Sequence, residues 1–337
     1  MTNCEVLQML LARRELSESQ VRWIFTEMMA GRCGDADAAA FLVALRMKGE
    51  TAHEIAAAAQ VLREHMLAWD AGREDLLDTC GTGGDGSGTF NISTATALVV
   101  AGAGVPVVKH GNRSVSSRTG SADVLSALGV KIDGDVAFAR LCLREANFAF
   151  CFAPLFHPAL KHVAAIRRQL GVPTIFNCLG PLANPAGAKR QLLGVGRAEL
   201  LDLMAGAMAQ LGTQHALVLC GRDGLDEVSL AGPTMVREVR GADLISHEWT
   251  PGDFGLQSCA LAELSAPHAE ASAGMIKDVL AGKDGAPQRI VLANAAAALL
   301  AAEQVATLRD GVECARQAIM SGQAQAVLTR LQRLSAT

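Results

Sequence analysis

The sequence predicts a small all-helical N-terminal domain followed by a larger α/β domain with a mainly parallel central sheet. Three observations carry that reading. Helical periodicity with clear start signals fills residues 1 to 67, short apolar runs alternate with helical stretches from Asp70 onward, and the 33 glycines gather in clusters with no collagen period. The chain has 337 residues, 50% of them apolar. At that size folding buries about 75% of the surface an unfolded chain exposes, so neither disulfides nor metals are needed to hold it.

Within residues 1–69, Ser17-Glu18-Ser19-Gln20 and Thr51-Ala52-His53-Glu54 fit the capping box: a hydroxyl accepts from a backbone N–H three residues on, and the Glu or Gln reaches back. Between them, Gly34-Asp35 precedes an apolar-periodic run over 36 to 47 that stops at Lys48-Gly49. In residues 70–337, apolar runs at 76 to 77, 105 to 108, 148 to 152, 216 to 220 and 235 to 239 read as strands. They are spaced by helical stretches near 94 to 103, 121 to 128, 158 to 170, 198 to 211 and 289 to 303. Helices of that length between strands imply crossovers and therefore parallel pairing. From 251 to 287 only a helix over 271 to 281 is assigned.

With 30 Lys+Arg against 34 Asp+Glu, the formal net charge of −4 excludes a protein whose main task is coating nucleic acid. The nine cysteines are odd in number and contain no CxxC pair, so they suit neither a disulfide framework nor a zinc site. Reduced core thiols in a cytoplasmic protein are expected. Glu5, Arg13, Arg14 and Glu15 interrupt the N-terminus before any signal-type apolar run. The longest apolar stretch, 97 to 108, is broken by glycine and Pro106 and falls short of the roughly 18 residues a membrane span needs.

Four clusters carry chemistry. The first is Asp78-Thr79-Cys80-Gly81-Thr82-Gly83-Gly84-Asp85-Gly86-Ser87-Gly88-Thr89, followed by Asn91-Ile92-Ser93-Thr94 at a helix start. Glycines let several backbone N–H groups turn toward one point, and unpaired N–H groups with the positive end of the helix dipole add to them, so the loop reads as a phosphate or pyrophosphate site. The string Gly81-x-Gly83-x-x-Gly86 resembles a dinucleotide fingerprint. That motif needs a helix opening inside the glycines and an acid about 20 residues on, and no Asp or Glu stands between Gly86 and Ala122. The second cluster, Lys109-His110-Gly111-Asn112-Arg113-Ser114-Val115-Ser116-Ser117, leaves the strand at 105 to 108. Two fixed cations, an amide and several hydroxyls suit a highly charged phosphorylated ligand in the same crevice. Ser121 reads as the cap of a further helix aimed at it.

The third cluster centres on His157, ahead of Pro158 in a helix that carries Arg167 and Arg168. Ten residues are nearly three helical turns, so His157 and Arg167 are expected on one face, where an arginine fork suits a planar carboxylate. The fourth is Gly224-Leu225-Asp226-Glu227-Val228-Ser229. Adjacent carboxylates make a poor acid/base pair, yet they can hold hydrated Mg2+ between protein and pyrophosphate.

Taken together the clusters resemble the anthranilate phosphoribosyltransferase family. The resemblance rests on GTGGD (81 to 85), NIST (91 to 94), KHGNR (109 to 113), GSAD (120 to 123), HPALK (157 to 161), TIFN-LGPL-NP (174 to 185) and LDEVS (225 to 229), in family order. It implies a nucleoside phosphorylase-like transferase fold, with part of about 160–180 joining the small domain, and a homodimer. It also implies transfer of the 5-phosphoribosyl group from phosphoribosyl pyrophosphate to the amine of anthranilate. Carried over by motif, Gly81, Gly84, Asp85, Thr89, Asn91, Ser93, Thr94, Lys109, Asn112, Ser117 and Ser121 would hold phosphoribosyl pyrophosphate, and Ile92, His110, Gly111, Arg113, Ser114, Val115 and Ser116 would also belong to the substrate-binding set. Ser93, Asp226 and Glu227 would hold Mg2+. Gly81, Asn112 and Arg167 would contact anthranilate, with His110 and His157 lining its approach, and Lys109, His110 and Arg167 form the implied catalytic set. Pro173 stands where the family commonly has an arginine, and Thr119 where it commonly has a serine. Two other readings remain at this point: a phosphorylase or transferase of the same fold with another acceptor, and a non-catalytic nucleic-acid-binding relative.

Overall fold

Residues 2–114 and 119–336 are described by the computed structural model. The N-terminal unit has four helices, Asn3–Leu11, Glu18–Met29, Asp35–Lys48 and Ala52–Glu64. Both expected capping boxes form, at Ser17/Gln20 and Thr51/Glu54, and a third, not foreseen, forms at Thr2/Glu5. Glu54 does more than cap. Its carboxylate is fully buried and accepts from Leu16 N (2.9 Å), Thr51 N (2.9 Å) and Lys48 Nζ (2.8 Å), tying three segments of the bundle to one group.

The remainder is built on a seven-stranded sheet: β1 (Leu77–Gly81), β2 (Val107–Gly111), β3 (Phe148–Phe152), β4 (Arg190–Gly194), β5 (His215–Gly221), β6 (Thr234–Arg240) and β7 (Asp243–Trp249), in the order β3-β2-β1-β4-β5-β6-β7. The first five strands in that order are parallel, and β6 and β7 add an antiparallel hairpin at one edge. Two strands were not expected from the sequence. β4 is a short buried insert between β1 and β5, and β7 is a mostly exposed edge strand whose Asp, Ser, His and Glu mask its extended character. The helices Val136–Ala146, Leu308–Met320 and Gln323–Ser335 were likewise unassigned. All nine cysteines are free thiols.

Side-chain alternation divides the core between the two faces of the sheet. Leu192, Leu217 and Leu219 face a cluster that includes the helices Ile92–Gly102 and Ala286–Ala301. Leu193, Ala216, Val218 and Cys220 face the other way, into a cluster shared with the N-terminal helices, the helix Leu200–Gln210, and Val163, Ile166 and Phe176. The segment after His157 thus packs against the helical bundle, with Phe176 in contact with Phe25 at a centroid distance of 5.6 Å.

Candidate active site at the carboxyl ends of the strands

β1 lies between β2 and β4, so the chain leaves it in opposite directions on its two sides, and the crevice of an open α/β sheet forms at the carboxyl ends there. The glycine loop starts at that point. Gly83, Gly84, Gly86 and Gly88 have φ of 66°, 79°, 70° and 66°, a left-handed conformation that glycine adopts without the Cβ penalty. The N–H groups of Gly84, Asp85, Gly86 and Gly88 donate to no protein acceptor among the described residues, which leaves them for an anion. The helix start behind the loop differs from expectation. Asn91 caps Ile92–Gly102, but Ile92 N–H donates to Phe90 O and Thr94 N–H to Asn91 Oδ1 (3.0 Å), and the Ser93 N–H favours the charge of the neighbouring Glu227 carboxylate. Most of the spare donors therefore come from the glycine loop.

Asp226 and Glu227 reach the loop from beyond β5 and diverge. Asp226 Oδ2 accepts from Gly83 N (3.1 Å), and its carboxyl also meets that of Asp85; Glu227 turns to Ser93. Gly81 makes this possible, because a Cβ there would stand 2.7 Å from Asp226 Oδ2. Burial, then the charge of Asp85, pushes the Asp226 carboxyl up to about 7, and burial and Asp226 together push Glu227 well above the ordinary carboxylate range. Asn294, fully buried in the helix Ala286–Ala301, fixes this segment by accepting from Val228 N (2.8 Å) and donating to Val228 O (3.1 Å). No group of three or more His, Cys, Asp or Glu among the described residues forms a metal cage. Two crowded carboxylates beside the Ser93 hydroxyl instead fit a hard cation such as Mg2+, which keeps water and substrate oxygens in its shell.

Lys109 and His110 belong to β2 itself, which runs to Gly111, and not to a loop after 108. Alternation then sends their side chains to opposite faces. Lys109 is 1% exposed and its Nζ donates to Thr79 O and to Ser93 Oγ (3.1 Å). Burial lowers its pKa, while Asp78, Glu227 and Asp226 favour its charge. Here β1 and β2 part company after Leu77↔Val107, and side chains replace the missing ladder. Asp78 Oδ1 accepts from His110 N (3.2 Å), Asn184 Nδ2 donates to Asp78 Oδ2 (2.8 Å) and to Val108 O (2.8 Å), and Lys109 caps Thr79 O. Burial pushes Asp78 up to about 6 against the opposing effect of Lys109. Sequence reasoning did not assign Asp78, Asn184 or Asn294 to the site. The first two lie inside the quoted motifs, but their role depends on a strand divergence that no local pattern reports.

The next turn is organised by Asp123, which accepts from Ser114 N (3.0 Å), Gly120 N (3.0 Å) and Arg113 Nη1 (2.9 Å). Arg113 is thus already paired, leaving Lys109 as the fixed cation of this cluster that faces the carboxylates. Gly120, and not Ser121, is the N-cap; Ser121 occupies the first helical position with Oγ 3.5 Å from Asn112 O. Val115, Ser116 and Ser117 lie outside the described residues.

On the opposite face His110 Nδ1 lies 3.0 Å from Gly180 O, and its Nε2 lies 3.2 Å from His157 Nε2. A carbonyl requires a donor, so His110 carries its proton on Nδ1 and accepts from His157 at Nε2. Burial pushes His110 down to about 3 and His157 down to about 4, so both rings are neutral at ordinary pH. The helix expected near 158 to 170, with His157 just ahead of it, forms with a 3₁₀ first turn. A short helix Ala153–Phe156 ends at His157, a 3₁₀ turn spans Pro158–Leu160, and the next helix is Lys161–Leu170. Among the described residues Arg167 makes no hydrogen bond or ion pair with the phosphate loops. Its guanidinium lies over the Phe176 ring, 5.3 Å from the centroid. Two surface grooves, of about 710 and 380 Å³, lie on the N-terminal helices and contain none of these residues.

Two models of one family match the chain: "glycosyl transferase family, a/b domain" over residues 73–325, and "glycosyl transferase family, helical bundle domain" over 5–66. The anthranilate phosphoribosyltransferase of Symbiobacterium thermophilum is 47% identical over 97% of this chain and 96% of its own length. Among solved structures, anthranilate phosphoribosyltransferase from Thermus thermophilus superposes with a TM-score of 0.93 at 40% identity, covering 98% of this chain and 99% of its own. The Saccharomyces cerevisiae enzyme in complex with PRPP and Mg superposes with a TM-score of 0.91 at 28% identity, covering 99% and 98%.

Proposed function

The chain belongs to the anthranilate phosphoribosyltransferase family, and from that premise we propose how its residues share the work of moving a 5-phosphoribosyl group from phosphoribosyl pyrophosphate to the anthranilate amine. The reaction gives N-(5-phosphoribosyl)anthranilate and pyrophosphate, a step of tryptophan biosynthesis. The observation that carries the assignment of roles is the meeting, in one crevice, of free glycine-loop N–H groups, the buried Lys109 ammonium and the crowded Asp226 and Glu227 carboxylates.

In this reading Gly81, Gly84, Asp85, Thr89, the segment 91 to 94, the segment 109 to 117 and Ser121 hold phosphoribosyl pyrophosphate. Ser93, Asp226 and Glu227 hold Mg2+, which supplies positive charge to the pyrophosphate oxygens. The bond from ribose C1 to the pyrophosphate oxygen breaks ahead of full C–N bond formation, so C1 passes through oxocarbenium character while negative charge grows on the leaving group. Lys109 is fixed before that charge appears, and a preorganised donor of this kind is worth about 3 kcal/mol in typical mutagenesis. The aromatic amine is neutral and attacks with its lone pair, and the acidic proton of the arylammonium it forms passes to solvent water as the product leaves, so no strong base is needed. That fits the neutral His110 and His157, whose Nε2 atoms are engaged with each other, as walls of the acceptor approach. Arg167 receives the anthranilate carboxylate. The protein otherwise contributes position and exclusion of water.

A homodimer and a cytoplasmic location complete the reading. An apolar groove formed by Leu7, Leu11, Val43 and Met47 supports the first, with Leu11 and Met47 70% and 73% exposed; light scattering of the purified chain tests it. No helix among the described residues is long and apolar enough to cross a membrane. The reaction is tested by mixing protein, Mg2+, phosphoribosyl pyrophosphate and anthranilate and following anthranilate fluorescence. The signal falls only when both substrates are present; a constant signal with folded protein and a working control enzyme overturns the assignment.

A further inference from the structure

We propose that Phe176 is a positioning residue for the acceptor, acting through the Arg167 guanidinium; this rests on the reading that Arg167 receives the anthranilate carboxylate. Arg167 sits in the last turn of Lys161–Leu170, partly buried, and no carboxylate among the described residues bonds to it. Of the other partly buried arginines, Arg190 has Glu303 (2.8 Å), Arg237 has Asp202 (2.6 Å) and Arg63 has Leu182 O (2.7 Å), whereas Nε of Arg289 has no polar partner among the described residues. Arg167 has the face of an aromatic ring, 5.3 Å from its centroid.

That choice of partner has a chemical consequence. An acid beside Arg167 would orient it but would also neutralise it and compete with an incoming carboxylate. An aromatic face attracts and orients a guanidinium through its quadrupole while leaving the N–H fork unused. The free edge of the fork is then available for two parallel bonds to a planar carboxylate. Burial of Arg167, which lowers its pKa, further favours an anionic ligand.

The ring is itself enclosed by packing. Phe176 is 5% exposed and packs against Phe25 at 5.6 Å, which in turn meets Phe41 edge-on at 5.9 Å. The turn before it is fixed by Thr174 N donating to Asn177 Oδ1 (3.0 Å). The N-terminal helices thus set the plane of Phe176, and Phe176 sets the plane of Arg167.

Steady-state kinetics of Phe176→Leu, Arg167→Lys and the double variant test this. Phe176→Leu raises the anthranilate KM about five- to thirtyfold, the span expected for a desolvated cation–π contact, with the phosphoribosyl pyrophosphate KM changed less than about twofold. In the Arg167→Lys background the same substitution adds less than about twofold, because the planar fork it orients is already gone. An equal factor in both backgrounds, or equal changes in both KM values, identifies Phe176 as packing alone and overturns the proposal. Arg167→Lys leaving the anthranilate KM unchanged refutes the underlying role of Arg167 instead. Should Phe176→Leu not fold, Phe176→Met fills the site without a ring and carries the same expectation.

Discussion

Lys109→Met removes one ammonium from the centre of the crevice and keeps the apolar stem. In the intact protein Nζ is bonded to Thr79 O and Ser93 Oγ, and its charge is favoured by Asp78, Glu227 and Asp226. Breaking a buried charge pair costs about 3–5 kcal/mol of stability. Here the acids have an escape, since Asp226 already sits near 7 and takes a proton at little expense, which places the expected loss at about 3 kcal/mol. Catalysis has no such escape. Losing a preorganised donor to the departing pyrophosphate costs about 3–4 kcal/mol, a fall of about 10²–10³ in kcat/KM for phosphoribosyl pyrophosphate. Urea unfolding measures the first loss and initial rates at saturating anthranilate measure the second. A folded variant within tenfold of the wild-type kcat/KM refutes the role given to Lys109.

Gly81→Ala places a Cβ 2.7 Å from Asp226 Oδ2 and must displace that carboxylate, so activity falls more than about tenfold at saturating Mg2+; unchanged rates would show that Asp226 is dispensable where it stands. Asn184→Ala strips donors from Asp78 and Val108 O and lowers the unfolding free energy by about 2–4 kcal/mol in a urea titration, whereas a loss below 0.5 kcal/mol, of the surface kind, contradicts the splice described between β1 and β2. His157 is pushed from 6.5 down to about 4, so between those values the unfolded chain holds a proton that the native one does not, and stability falls as pH drops through that window. His157→Gln removes that proton uptake and makes the slope of stability against pH shallower by up to about 1.4 kcal/mol per unit; identical slopes would place the histidine in contact with solvent.

Legibility in the sequence followed the range of the interaction. The capping boxes at Ser17 and Thr51 are local, and they form as expected. The parallel sheet was readable from strand and helix spacing, but β4 was not, because Arg190 and Gln191 dilute a five-residue strand that owes its burial to its neighbours. β7 escaped for the opposite reason, being an exposed edge held by β6 alone. In the site, the glycine loop and the Asp226-Glu227 pair could be read as chemistry. Arg113 could not be told from a ligand cation, since its partner Asp123 lies across a turn. The helix expected near 158 to 170 forms with a 3₁₀ first turn, but the setting of Arg167 on it rests on Phe176, a contact between separate elements that no local pattern reports.

The most direct test of the account is the product balance of the complete reaction, followed by mass spectrometry with phosphoribosyl pyrophosphate, Mg2+ and anthranilate. Transfer at C1 predicts N-(5-phosphoribosyl)anthranilate and pyrophosphate in equal amounts, with pyrophosphate release dependent on anthranilate. Pyrophosphate accompanied by free ribose 5-phosphate, with anthranilate unconsumed, would contradict it.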